Sequence, residues 1–169
     1  MPERLETERL LGERIHERHI ERLVELYSEP RVAEWLGGIP SEWQWLEARM
    51  AHWKEHGFGD WVFSEREGEL VVGRCGLRRV VIDGADEVEV GYVVDPERWS
   101  RGYATEMTRA VIEAGFALGL REIVAFTLPN NLRSRRVMEK SGLTYEKPVE
   151  WAGRPHVLYR IRSGSSSDG

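Results

Sequence analysis

Apolar positions along the chain recur with two periods, one near 3.6 residues and one of two, and the changes between them mark the elements. The stretch ETERLLGERI, residues 6–15, reads as a short opening strand, and HIERLVELY then sets Ile20, Leu23, Val24 and Tyr27 at helical spacing. Glu29-Pro30 ends that helix, and a brief turn through Val32, Trp35 and Leu36 leads into GGIP. Ser41 with Gln44 forms a capping-box signature. The helix it opens carries Trp43, Leu46, Met50 and Trp53 on one face and closes at Gly57.

The texture then changes to alternation. DWVFSER, LVVGRCGLRRVVI and EVEVGYVV are strands separated by the turns EGE and DGAD, with Gly68 and Gly84 where hairpins need them. This is an antiparallel meander. Beyond it, Met107, Ala110, Val111, Ala114 and Leu118 fall on one helical stripe, and Gly119-Leu120 supplies a C-terminal cap. EIVAFTL is a strand, PNN a turn and LRSRRVMEKS a second helix, capped by Gly142; LTYEKPVEW and HVLYRIR make a final hairpin about AGRP. No internal repeat or long linker divides the chain, so the expectation is one α/β domain over residues 1–162, with 163–169 a disordered or appended tail.

Composition narrows the function. At 169 residues the chain suits a single core without staples. The lone Cys75 forms no intramolecular disulfide, and neither a signal-peptide run nor a span of about 20 apolar residues is present, which points to a cytoplasmic protein and no membrane. With 29 acidic against 24 basic side chains the net charge is -5, which argues against nucleic acid and suits a neutral or cationic partner. A local phosphate site remains compatible with that balance, and so does a homodimer.

The junction inside VEVGYVVDPERWSRGYATEMTRAVIEAG, Val88 to Gly115, carries the candidate chemistry. A strand ending near Val94 and a helix beginning near Gly102 leave backbone N–H groups without intrahelical partners, converging on one spot with the helix dipole behind them. Such a spot attracts phosphate. Gly102 lets a ligand approach, Ala104 is small, and Arg98 and Arg101 add charge. An ordinary strand-turn-helix would also contain such a glycine.

This segment, with LPNNLRSRRVMEKSGLTYE after it, resembles the Gcn5-related N-acetyltransferase (GNAT) superfamily, in particular its ribosomal-protein N-terminal acetyltransferase (RimJ/RimL) branch. The family motif Q/R-x-x-G-x-G/A falls on Trp99, Ser100, Arg101, Gly102, Tyr103 and Ala104, with Trp departing from the usual Gln or Arg. The resemblance implies a mostly antiparallel mixed sheet, flanked by helices, with one splayed parallel strand pair. In this chain the pair is Glu87 to Val94 and Glu122 to Leu128. It further implies that the loop and the helix start, Tyr103 to Thr105, hold the pyrophosphate of coenzyme A. The N–H groups of Tyr92, Val93 and Val94 then polarise the thioester carbonyl of acetyl coenzyme A.

Acyl transfer to an amine needs a neutral amine, a stabilised oxyanion and a proton for the departing thiolate. Glu89 is the candidate base, or else a solvated glutamate on the polar face it shares with Glu87 and Gly91. Ser134 faces inward with Val137, Met138 and Ser141; the family pattern N-x-x-S falls on Asn131 and Ser134, which implies that Asn131 positions the cofactor and Ser134 protonates the thiolate. A helix N-cap for Asn131 and a packing role for Ser134 are the plainer alternatives. The arginines of that helix are available to the adenosine phosphates.

Trp35, Trp45 and Trp151 are candidates to line an acceptor pocket. HWKEH also matches the H-x-x-E-H pattern of some zinc peptidases at His52, Glu55 and His56, but helical spacing puts both histidines on the water face, so no metal is expected. Cys75 reads as a small strand residue. The sequence therefore points to an N-acetyltransferase using acetyl coenzyme A, with a protein N-terminus or a small-molecule amine as acceptor and direct attack as the mechanism. A coenzyme A-binding sensor is the alternative.

Overall fold

The computed structural model describes residues 1–36, 41–67 and 70–164. GGIP, the last two residues of the EGE turn, Gly68 among them, and the last five residues of the tail lie outside these.

Among the described residues eight strands form one sheet in the order β1-β2-β3-β4-β5-β6-β8-β7. They are β1 (Arg4–Glu6), β2 (Leu10–Arg14), β3 (Asp60–Glu65), β4 (Val71–Ile82), β5 (Ala85–Val94), β6 (Glu122–Thr127), β7 (Thr144–Trp151) and β8 (Arg154–Arg162). Of these strands β5 and β6 run parallel, and each of the other neighbouring pairs described is antiparallel. The helices are α1 (Ile20–Ser28), α2 (Pro30–Leu36), α3 (Glu42–His56), α4 (Tyr103–Ala117) and α5 (Leu132–Lys140). Helix α4 is the crossover that a parallel pair requires. No helix of the described residues is long and apolar enough to cross a membrane.

The meander forms where alternation predicts it. Between β4 and β5, Asp83 and Gly84 both have positive φ, 51° and 78°, the twist that a two-residue hairpin demands. Along β5, Val93 turns toward Leu26, Tyr27 and Val32, whereas Tyr92 turns toward α5. One face of the strand therefore looks to α1 and α2, and the other to α4 and α5.

Several expectations need correction. The opening strand is a hairpin, because Thr7 Oγ1 accepts from Leu10 N and closes a turn between β1 and β2. The brief turn after Pro30 is helix α2: proline fits a first helical position, and burial of Val32 holds it. Ser41 occupies the N-cap of α3, yet its side chain makes no capping hydrogen bond. Trp43 is 57% exposed, so the buried stripe of α3 rests on Leu46 and Trp53. In α4 the stripe is rotated from the expected one: Leu118 is exposed, while Thr108, Ile112 and Gly115 join Met107 and Val111 inside. A Cβ on Gly115 would lie 2.9 Å from Leu77 Cδ1, so glycine sets how closely the helix approaches the sheet. Thr108 tolerates burial because its hydroxyl donates to Ala104 O at 2.7 Å.

Candidate active site

Strands β5 and β6 part almost as soon as they meet. They share a single paired position, Glu89↔Val124, although β5 pairs along its length with β4 and β6 with β8. The unpaired edge of β5 beyond Glu89 opens a cleft of about 570 Å³ that passes between the two strands. Asp95 donates its N–H to Val72 O on the β4 side at 2.8 Å, while Val94 O accepts the indole N–H of Trp99 at 2.9 Å. Because polar groups alternate along an extended strand, Tyr92 and Val94 turn their N–H groups toward the opening, and Val93 turns its own toward β4.

At one end of the cleft, Gly102 is the N-cap of α4, with φ 81° and no side-chain cap. The first intrahelical bond runs from Glu106 N to Gly102 O at 3.0 Å, so the N–H groups of Tyr103, Ala104 and Thr105 have no acceptor within the helix. The loop is held from outside. Arg9 donates to Arg101 O at 2.8 Å and pairs with Glu106 at 2.6 Å. Burial opposes charge on Glu106, but hydrogen bonds from Thr7 and Arg9 prevail and hold its carboxyl below the usual range. Trp99, the departure from the family motif, pins the loop through its bond to Val94 O and carries the Arg133 guanidinium 4.7 Å above its ring.

The expected phosphate cations are placed differently. Arg98 lines the cleft, but its guanidinium is engaged by Asp95 at 3.1 Å and Glu65 at 3.3 Å; the exposed Arg101 is not among the lining residues. The additional lining charge at this end comes from Arg133, Arg136 and Lys140 of α5. Asn131 is the N-cap of α5, accepting from Ser134 N at 3.2 Å, and this turns the first residues of the helix to the cleft. Ser134 Oγ lies 2.7 Å from Tyr92 Oη. Burial pushes the Tyr92 hydroxyl above its ordinary range, which keeps its proton in place. Sequence reasoning used only the backbone of Tyr92, although strand alternation already put its ring on the face opposite Glu89.

At the other end Glu89 is 7% exposed and ion-paired with Arg78, so it is not a solvated polar-face glutamate. Beyond it lies a cluster that sequence reasoning missed. Buried Asp60 pairs with Arg74 at 2.6 Å and Arg49 at 3.2 Å, and Arg74 Nε donates to Tyr27 Oη at 2.9 Å. Burial opposes the Asp60 charge, yet Arg74 and Arg49 outweigh it and hold the carboxyl below the usual range. The available signal was an arginine inside the otherwise apolar VVGRCGL. Trp35 and Trp45 are among the residues that line the cleft, whereas Trp151 packs against Phe126 and is not a lining residue.

The remaining candidates resolve locally. His52 was expected on the water face, but it is half-buried with both ring nitrogens occupied by backbone: Nδ1 meets Phe58 O at 2.9 Å and Nε2 accepts from Arg79 N at 3.0 Å. No group of three potential metal ligands occurs among the described residues. Cys75 is fully buried, and burial pushes its thiol up to about 12.

A splayed parallel pair followed by an uncapped strand-to-helix junction defines an acetyltransferase-type domain. The chain belongs to the GNAT acetyltransferase family: residues 9–144 match the acetyltransferase (GNAT) domain model. It is 28% identical over 148 residues to the uncharacterized N-acetyltransferase YoaA of Bacillus subtilis, covering 84% of this chain and 83% of that one. Its fold is that of an acetyltransferase from Agrobacterium tumefaciens, with TM-score 0.84 and 24% identity over 96% of this chain and 95% of the other. The fold is likewise that of Mycobacterium smegmatis RimJ, solved in complex with CoA-disulfide, with TM-score 0.80 and 19% identity over 96% and 88% of the two chains.

Proposed function

We propose that this protein is an N-acetyltransferase of the RimJ/RimL type, moving the acetyl group of acetyl coenzyme A to a primary amine by direct attack. The observation that carries the reading is the single paired position between β5 and β6. It makes one continuous cleft from the bare N–H groups of α4 to the carboxylate of Glu89. The residues present suit coenzyme A. Tyr103, Ala104 and Thr105 offer N–H groups to its pyrophosphate, Arg133, Arg136 and Lys140 offer charge to its phosphates, and the parted strands admit its extended arm.

Glu89 accepts the proton of the incoming amine. The neutral nitrogen forms a bond to the thioester carbonyl carbon, while the N–H groups of Tyr92 and Val94 stabilise the developing oxyanion. As the carbon–sulfur bond breaks, Ser134, held in place by the hydroxyl of Tyr92, gives its proton to the thiolate, and the proton that the nitrogen sheds as the amide forms restores the serine. The buried free thiol of Cys75 suits a cytoplasmic setting.

The test is thiol release from acetyl coenzyme A across an amine panel, with products identified by mass spectrometry. Amine-dependent release with an N-acetyl product is expected. Tight binding of coenzyme A without amine-dependent release would make the protein a sensor instead.

A further inference from the structure

The chain is acidic overall, yet the wall of its cleft is not. Among the described lining residues the only carboxylates are Asp60 and Glu89, and at the Glu89 end they face the guanidinium groups of Arg49, Arg74 and Arg78. That cluster carries one positive charge more than it neutralises. Asp60 is shared between Arg49 and Arg74, and Glu89 takes only Nε of Arg78. Among the described residues Arg49 has one hydrogen-bond acceptor, on Nη1, and the terminal nitrogens of Arg78 have none. Burial, and then the neighbouring charges of Arg74 and Arg78, weigh against the charge of Arg49 and outweigh the help of Asp60.

Beside this excess charge two glycines face each other, Gly76 covered by Asp60 and Gly91 left bare. Gly76 of β4 lies directly opposite Gly91 of β5, and in the flanking registers Arg78 pairs with Glu89. A Cβ on Gly91 would make ordinary contact with Glu89 Oε1 at 3.7 Å and Arg74 Nη2 at 4.0 Å, so this position has room for a small group at the foot of the carboxylate. A half-buried cationic fork with unused donors suits a carboxylate, and a polycation there would meet repulsion.

We propose that the acceptor is a small amine that itself carries a carboxylate, seated over Gly91 with its acid group on Arg49 and Arg78 and its amine toward Glu89. This rests on the acetyltransferase reading. The carboxylate of such a molecule supplies the negative charge that Arg49 and Arg78 lack, and its ammonium meets the carboxylate of Glu89 before giving up a proton there. A polyamine or an aminoglycoside supplies no counter-charge, and the α-amine of a peptide lacks an adjacent carboxylate.

The test compares matched pairs: amino acids and short amino carboxylates against their carboxamides, alongside spermidine, kanamycin and a Ser-Ala-initiated peptide, with acetyl coenzyme A at saturation. The expected result is kcat/KM at least about 10²-fold higher for an acid than for its amide. Arg49→Met should raise KM for the acid by at least about tenfold with little change in KM for acetyl coenzyme A, collapsing the acid–amide ratio. Gly91→Ala, whose added Cβ makes only ordinary contacts, should raise the acceptor KM alone. Equal or better turnover of amides, polyamines or the peptide overturns this proposal and leaves the acetyltransferase reading standing. Absence of turnover with every amine overturns both.

Discussion

Ser134 Oγ and Tyr92 Oη lie 2.7 Å apart, joining the first turn of α5 to the free edge of β5 across the mouth of the strand splay. The tyrosine proton is held by burial. The tyrosine hydroxyl, which also reaches Ser134 O at 3.0 Å, therefore serves to orient the serine, whose own proton is the one the proposed mechanism delivers to the thiolate.

Ser134→Ala is therefore expected to lower kcat by roughly 10², with little change in coenzyme A affinity. Tyr92→Phe should lower kcat by less, because Ser134 keeps its own proton. Stopped-flow thiol release and calorimetry separate the two quantities, and parental rates in Ser134→Ala would reduce the serine to packing.

Glu89→Gln tests the base through pH. An α-amino group near pKa 8 is mostly protonated at pH 7, and a lysine-like amine near 10.4 more so, hence the base matters most at low pH. The variant should be impaired near neutrality and recover as pH rises and neutral amine becomes plentiful. A deficit constant across the pH profile of kcat/KM would remove Glu89 from that role.

Gly102→Glu places a carboxylate and a side chain at the uncapped start of α4, in a backbone conformation with φ 81° that suits glycine. Coenzyme A affinity should fall at least about tenfold, or about 1.4 kcal/mol. Circular dichroism establishes the fold, and calorimetry with coenzyme A gives the answer.

Asp60→Asn breaks a buried network and should cost about 3–5 kcal/mol of stability at neutral pH. The folded-state pKa of Asp60 is depressed, so its contribution is complete above the ordinary aspartate range and is lost as pH falls through the folded value. The parent–variant gap in urea midpoint should thus be full at pH 7 and shrink in strong acid. A gap independent of pH would show that the charge on Asp60 is not what stabilises the fold.

By itself the sequence determined what local periodicity and backbone geometry decide. Alternation in EVEVGYVV, the helical stripe after Gly102 and the Asp83-Gly84 turn fix β5, α4 and the hairpin, because each depends on neighbours a few residues away. The same local reasoning located the bare N–H groups at Gly102 and the N-cap at Asn131. Tertiary structure decided everything that joins distant segments. Arg98 looked like a phosphate ligand until Glu65, from another strand, took part of its guanidinium. Glu89 could be solvent-facing or buried from its own strand alone, and only Arg78 across the ladder and the helices above settled it. The Arg49, Asp60 and Arg74 cluster brings together three elements, and no periodicity within one of them records the charge contributed by the others. Charge pairing and burial are properties of what packs against a residue, and for these side chains that partner lies far away along the chain.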